Sequence, residues 1–467
     1  HDLQWVDIPE DVQAQAIRCV LDLCGAAIAG SRTRVARIAA AYALGAHGSG
    51  AATIIGTGAG STAVGAALAN GFAASALDID DGYRPVKGHP GAVVFGALLA
   101  AAEQAAATGA DFLTGLVVAY EVAMRAGRIL HPLYGFYHGT GAWGPIGAAA
   151  GAARLLGCTR QQTWHALGIA EFHAAMTPEM RSVDCPSMLK DGIGWGSMVG
   201  LTSALLAAHG FTGIPSLFDT NGPEAELADS LGHEYLIREL YAKPYACCRW
   251  AQPAVEGARA AARRLGVAAA DIARVRVHTF AAALHLRSTA PRTTEEAQFS
   301  LPWPVACALV DGAVGPDQVL EHGLADPVRQ ALAARVEMIH DPALEGVFPQ
   351  RALAWVEVEA ADGRRARSEV LAARGDAEAP LSDDELSSKC TSLAEPVLGP
   401  DRARALVGAI KALPDAANLD ALVALLRPTG DRRQATGDSG RSTCNPTRKW
   451  RGRTNVRRGR RSVPERR

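Results

Sequence analysis

The chain has 467 residues, 48% hydrophobic and only 6% aromatic, with 47 Lys and Arg against 48 Asp and Glu for a formal net charge of -1. That length can bury a sizeable core over two or three domains, so folding requires neither disulfides nor a structural metal. Its nine scattered cysteines show no C-x-x-C pair and read as reduced thiols.

The near-neutral total hides an asymmetry, because residues 431–467 carry a net +10 and the remainder -11. An acidic body gives no electrostatic footprint for nucleic acid. The Arg-rich stretch 429–467 lacks apolar periodicity and reads as a basic, disordered tail. Apolar stretches are broken by Gly, Pro or charge before the roughly 20 residues that span a bilayer, and the opening HDLQWVDIPEDVQ lacks a basic then apolar leader. No membrane or nucleic-acid partner is expected, and a cytoplasmic location is.

Taken in chain order, Pro9 to about Leu265 reads as one Ala-rich helix after another, over 12–29, 92–107, 112–130, 146–156 and 196–209. Between the first two, AATIIGTGAGS reads as a short strand turned back at Gly56 and Gly58. After Gly266 the texture changes: 272–280 and 334–341 alternate like strands, and 353–373 reads as a hairpin turned on Asp362 and Gly363. Helical patterns at 303–313 and 326–334 interleave with these strands, and helices return at 382–395, 400–412 and 417–426. The expected fold class is mostly α: a large all-helical domain (1–266 and 376–428) and a smaller α+β domain (267–375).

Four loops share one grammar, a stretch with His, Lys or Arg followed by Pro or Gly and a helix of small residues. The first, DIDDGYRPVKGHPGAVV, crowds Asp78, Asp80, Asp81, Arg84, Lys87 and His89 into twelve residues. His89 falls at a helix N-terminus with Pro90 at the first helical position. The dipole there disfavours an imidazolium, which suits a proton acceptor. Three crowded carboxylates raise the pKa of at least one of them if buried. The second loop holds His138 and Thr140 ahead of Pro145, the third Arg181 and Lys190, the fourth Lys243 and Arg249 ahead of Pro253. A cation at Lys190 opposes the following helix dipole, a conflict that a bound anion resolves. Convergence of the four loops implies a carboxylate-binding pocket.

Two glycine motifs are decoys. GTGAWG at 139–144 satisfies G-x-G-x-x-G, yet it follows a His-containing loop rather than a strand. The segment after Gly56 and Gly58 is too Ala-rich for a buried parallel strand, which argues against a nicotinamide site. No metal-ligand spacing appears; His131 and His138 share a helix face only if the helix survives Pro132, which its ring opposes. Cys247 and Cys248 read as small buried packing residues.

The segments NGFAASALDIDDGYRPVKGHPGAVV, HGTGAWGPIGAAAGAARLLG, MLKDGIGWGSMVGLTSALLAAHGFTG, KPYACCRWAQPAVEGA and QFSLPWPVACALVDG resemble, in order, those of the MmgE/PrpD family, which includes 2-methylcitrate dehydratase, cis-aconitate decarboxylase and iminodisuccinate epimerase. The resemblance runs from about Asp7 to Pro428. It implies a helical domain with an α+β lid, a homodimer, a cleft between the domains, a small polycarboxylate substrate and no cofactor or metal. Carried over position by position, the family's acidic loop matches Asp78, Asp80 and Asp81, its loop histidine His89, its two pocket lysines Lys190 and Lys243, and the histidine of its Gly-rich loop His138. With the loop cations read above, His89, Asp78, Lys190 and Lys243 form the expected catalytic set and Asp81, Arg84, Lys87, His138, Arg181 and Arg249 the expected substrate-binding set. The implied chemistry is removal of a proton α to a carboxylate by His89, followed by dehydration, epimerisation or decarboxylation. Three features depart from the pattern: Gly82, where many members have Thr; a stretch to His89 one residue longer than in decarboxylase-like members; and Gln252, where many have His. Gly82 and Gln252 leave open a member that binds carboxylates without turning them over. The segment 168–192 resembles the iminodisuccinate epimerase branch more than the 2-methylcitrate dehydratase branch.

Overall fold

A computed structural model describes residues 2–219 and 225–428; the basic tail, and with it the expectation of disorder there, lies outside the described residues. The alanine content of the first half has a packing consequence, since small side chains let helix backbones approach closely. The chain runs through α1 (Glu10–Gly30), α2 (Arg34–Tyr42), an antiparallel hairpin of β1 (Ser49–Thr53) and β2 (Gly60–Ser61), then α3 (Ala63–Ser75) and α4 (Pro90–Ala105). There follow α5 (Gly109–Leu133), α6 (Gly144–Leu155), α7 (Arg160–His173), the short α8 (Glu179–Asp184), α9 (Ile193–Ala208) and α10 (Ala225–Asp229). Thr33, Thr62, Thr108 and Thr159 each accept the backbone N–H three residues on, which sets where their helices begin. The hairpin at Gly56 and Gly58 thus forms as expected. Helix α5 does run through Pro132, whose ring falls one residue from the helix end and so disturbs only the last turn.

Helices α1, α3, α4, α5, α6 and α9 share one apolar core, in which α4 is buried from Pro90 to Ala102. Helix α1 is unbroken for 21 residues, and by length and composition alone it could cross a membrane. Here its apolar surface is buried within the protein, against α3 and a late helix, so burial in the core accounts for its composition. Helices α5 and α6 approach closely: a Cβ on Gly147 would lie 2.3 Å from the Ala119 carbonyl oxygen and 2.5 Å from Ala123 Cβ.

A second core begins before the expected break at 267. Helix α11 (Gln252–Leu265) lays Val255 and Ala258 on a sheet built from β3 (Ile272–Thr279), β4 (Val336–His340), β5 (Leu353–Ala360), β6 (Arg365–Arg367) and β7 (Leu371–Ala372). The sheet order is β4-β3-β5-β6 with β7 also on β5; β3 and β4 are parallel, the other pairs antiparallel. Period-two alternation does the sorting: Val275, Val277, Val356 and Val358 face the core while Arg274, Arg276 and Glu357 face outward. Around the sheet lie α12 (Thr294–Gln298), α13 (Pro302–Asp311), α14 (Pro316–Val319), α15 (Glu321–Leu324) and α16 (Pro327–Ala333). Finally α17 (Asp383–Leu398), α18 (Pro400–Lys411) and α19 (Asp420–Leu425) return to the first core, where Cys390 and Ala394 of α17 pack beside α1.

Substituting Gly147→Val forces side-chain atoms into the Ala119 backbone, an overpacking change that costs about 1–3 kcal/mol. Urea unfolding is expected to show the midpoint lowered accordingly; an unchanged midpoint would mean that α5 and α6 are not in this close contact.

Candidate active site

The two cores meet at a cavity lined by residues of both halves of the chain. Its floor is the acidic loop between α3 and α4. Asp78 occupies left-handed backbone (φ 51°), as do Lys87 (φ 50°), Lys190 (φ 46°) and Asp191 (φ 55°). These are four of the five non-glycine residues with positive φ among those described, and all belong to the site or its walls. Such conformations cost about 1–3 kcal/mol each and persist where surrounding contacts over-determine them.

Those contacts are ionic. The Lys243 ammonium, wholly buried, donates to Asp78 Oδ1 at 2.6 Å and to the Asp78 carbonyl at 2.9 Å. Burial alone would raise the Asp78 carboxyl, but Lys243, Lys190 and His89 hold it below the usual range, while Asp78 and Asp80 outweigh burial to push Lys243 upward. Lys190 donates to Gln298 Oε1 at 2.6 Å, and Gln298 in turn donates to the Ala76 carbonyl at 2.9 Å. The conflict of Lys190 with the α9 dipole is thus answered by the Asp78 charge and Gln298. Neither lysine side chain lines the cavity; both stand behind Asp78 and neutralise it.

His89 is the N-cap of α4 with Pro90 first in the helix, as the sequence suggests. Its Nδ1 lies 2.7 Å from the Asp81 carbonyl oxygen. A carbonyl only accepts, so Nδ1 carries the hydrogen, and in the neutral ring Nε2 holds the lone pair. Nε2 faces Asp78 Oδ1 at 3.5 Å and Asp191 Oδ2 at 4.0 Å. The backbone N–H of His89 donates to Thr140 Oγ1 at 3.0 Å, so the second loop holds the first. The ring therefore points its free nitrogen toward the Asp78 carboxylate and the cavity.

The remaining acids of the loop differ. Asp80 is buried, neither of its carboxyl oxygens has a hydrogen-bond partner among the described residues, and burial raises it. Asp81 turns away from the cavity: Oδ1 accepts the Gly91 N–H at 3.1 Å and Oδ2 the Tyr120 hydroxyl, so it anchors the loop to α4 and α5. Burial, reinforced by Asp22, pushes Asp81 up to about 8.

Of the expected binding residues, Arg84, Lys87 and Arg249 line the cavity; Asp81, His138 and Arg181 do not. Arg84 and Arg249 both pair with Asp376, from the loop between β7 and α17. Lys87 lies 4.4 Å over the Tyr137 ring with no carboxylate paired to it among the described residues, and burial lowers its pKa. His138 is buried against Phe136 at 3.8 Å between ring centroids and bonds through Nε2 to the Tyr134 carbonyl. Arg181 is exposed on α8, whose turn carries it away from the cavity. The sequence reading missed Tyr137, Glu179, Asp191, Tyr241 and Asp376, which line the same space.

Two departures from the family pattern, Gly82 and Gln252, are built into the walls. A Cβ at residue 82 would lie 2.2 Å from the Tyr241 hydroxyl, so Tyr241 fills the space that a larger residue needs. Gln252 is buried, donates to the Tyr245 and Cys247 carbonyls at 3.2 and 3.1 Å, and accepts from Arg249 at 3.0 Å, fixing the loop that carries Lys243 and Arg249. Asp78, Asp80 and His89 also offer ligand atoms within 4.8 Å of one another. The Lys243 ammonium on Asp78 Oδ1 stands where a cation would bind this set, so the donors fit a metal poorly.

A helical body joined to a mixed sheet, with a buried His–Asp–Lys cluster at the junction and cations along the walls, defines a two-core protein with a charged central cavity. The chain belongs to the MmgE/PrpD family: residues 1–224 match its N-terminal domain and 245–414 its C-terminal domain. Among curated proteins it is similar to the cis-aconitate decarboxylase-like protein oryM of Aspergillus oryzae, 27% identical with 91% of this chain and 95% of that protein covered. It is likewise similar to the cis-aconitate decarboxylases of Homo sapiens, 25% identical over 91% and 92% of the two chains, and Mus musculus, 23% identical over 82% of each.

In the unfolded chain Asp81 titrates near 4 (about 3.9), against about 8 when folded. A raised carboxyl contributes stability that is fully present below the unfolded value and is lost as pH rises toward the folded one. The stability of wild type relative to Asp81→Asn is therefore expected to fall between pH 5 and 8 in urea titrations. A difference independent of pH would contradict the buried, protonated Asp81.

Proposed function

We propose that this chain is a cofactor-independent enzyme that removes a proton α to a carboxylate of a small polycarboxylate. The observation that carries the reading is the His89 ring, tied through Nδ1–H to the Asp81 carbonyl with Nε2 free beside the Asp78–Lys243 pair. In this reading His89 is the base, and Asp78 stabilises the imidazolium that forms, its own charge balanced by Lys243 and Lys190 so that the ring and not the carboxylate takes the proton. Lys87 holds one substrate carboxylate, and Arg84 and Arg249, which Asp376 now holds, receive another. Water is excluded by Tyr241, Trp250, Phe299 and Phe348 around the cavity.

Two outcomes share this first step: loss of a β-hydroxyl gives a dehydratase, and return of the proton on the other face an epimerase. The alternative, a decarboxylase, breaks a C–C bond instead of a C–H bond and adds a proton at carbon as carbon dioxide leaves. The names of the relatives favour decarboxylation of an unsaturated tricarboxylate. A member that only binds carboxylates is disfavoured, because Gly82 and Gln252 are accommodated by their neighbours while the His89–Asp78–Lys243 arrangement is complete.

The test is incubation with cis-aconitate, 2-methylcitrate, citrate and iminodisuccinate in deuterated water, followed by NMR. Product or deuterium incorporation is expected with at least one of them, and His89→Gln is expected to lower it about 10²–10⁴-fold with the thermal melt unchanged. Inertness of the wild type toward all four, or a near wild-type rate in the variant, would contradict the reading.

A further inference from the structure

Glu179 is a buried acid for which the reading above has no task. It opens α8, is only 2% exposed, and still lines the cavity. Its backbone N–H donates to the Tyr137 carbonyl at 3.0 Å, and Pro178 before it bridges to His138, which fixes the start of α8 against the 138–142 turn. Gly139 makes room for the carboxyl: a Cβ there would come within 2.3 Å of Glu179 Oε2. That buried oxygen has no hydrogen-bond partner among the described residues. Asp191 lines the same cavity, and neighbouring carboxyls away from water favour keeping a proton on one of them. Burial and then the Asp191 charge favour the protonated acid at Glu179. Asp191 Oδ2 is in turn 4.0 Å from His89 Nε2, so the acid pair and the base border one space.

We infer that Glu179 is the proton donor of the reaction, the counterpart of the base His89. The inference rests on the reading that His89 removes the substrate proton, and it assigns a single donor to both outcomes of that step. In elimination, the pair from the broken C–H bond forms the double bond as the C–O bond breaks, and the Glu179 proton leaves with the hydroxide as water. In epimerisation, the same proton adds to the carbanion on the face opposite His89. Glu179 is left as a carboxylate each time and is reprotonated through water, which also takes the proton from His89.

The experiment follows conversion and deuterium uptake of whichever polycarboxylate the full-length wild type dehydrates, hydrates or epimerises, in wild type, Glu179→Gln, Glu179→Asp and His89→Gln. Glu179→Gln is expected to lose product about 10²-fold or more while exchange of substrate hydrogen with solvent stays within a few-fold of wild type. His89→Gln loses both. Product within tenfold of wild type, or loss of product and exchange together with an unchanged thermal melt, overturns the role of Glu179. If Glu179→Gln does not fold, Glu179→Asp decides: a raised ratio of exchange to product supports the donor role and an unchanged ratio overturns it. Wild type that neither exchanges nor converts any polycarboxylate, or that only decarboxylates one without exchange, fails at the proposed function itself, a result distinct from failure of Glu179 alone.

Discussion

The contact on which the rest depends is the buried pair of Lys243 and Asp78, separated by 165 residues in the chain and by 2.6 Å in the fold. It ties the acidic loop of the helical body to the loop that leads into α11 and the sheet. Removing one partner of such a pair leaves an uncompensated charge in the interior and costs about 3–5 kcal/mol. The pair does not stand alone, since Lys190 sits behind the same carboxylate, held by Gln298, and His89 stands before it. Two ammonium groups and one imidazole thus converge on a carboxylate whose own backbone is left-handed. The contacts from both halves of the chain hold that backbone where it is.

From this anchor the division of labour among the acids follows. Asp78 is held down because cations surround it, whereas at Asp80 and Glu179 burial outweighs the nearby cations and at Asp81 no cation opposes it. Carboxyls with opposed environments a few ångströms apart are the arrangement that lets one cavity accept and donate protons near neutrality. The cations follow a similar logic. Lys190 and Lys243 are spent on Asp78, while Lys87, Arg84 and Arg249 remain on the cavity wall where an anionic ligand can reach them.

Much of this was legible in the sequence where the signal is local. Alanine-rich helices, the hairpin at Asp362 and Gly363, the alternation in β3 and the placing of His89 ahead of Pro90 each follow from rules that act over a few residues. What the sequence hid depends on tertiary closeness. Arg181 and Lys190 are neighbours in one loop, yet α8 turns the first outward and a left-handed turn at 190–192 buries the second. His138 packs on Phe136, two residues before it, and Asp81 faces Tyr120 instead of the cavity. Glu179, Asp191 and Asp376 reach the site from three separate segments. The Asp–Gly step at 191 and 192 and the Gly–Asp step at 375 and 376 signal turns, but nothing local says that those turns close on one cavity.

The central claim is that the base nitrogen is His89 Nε2, freed because Nδ1 is committed to the Asp81 carbonyl. Nitrogen-15 NMR of histidine-labelled protein, with His89→Gln to assign the signal, measures that tautomer directly. The account predicts that neutral His89 carries its hydrogen on Nδ1, with Nε2 unprotonated. A His89 ring protonated chiefly on Nε2 would contradict it.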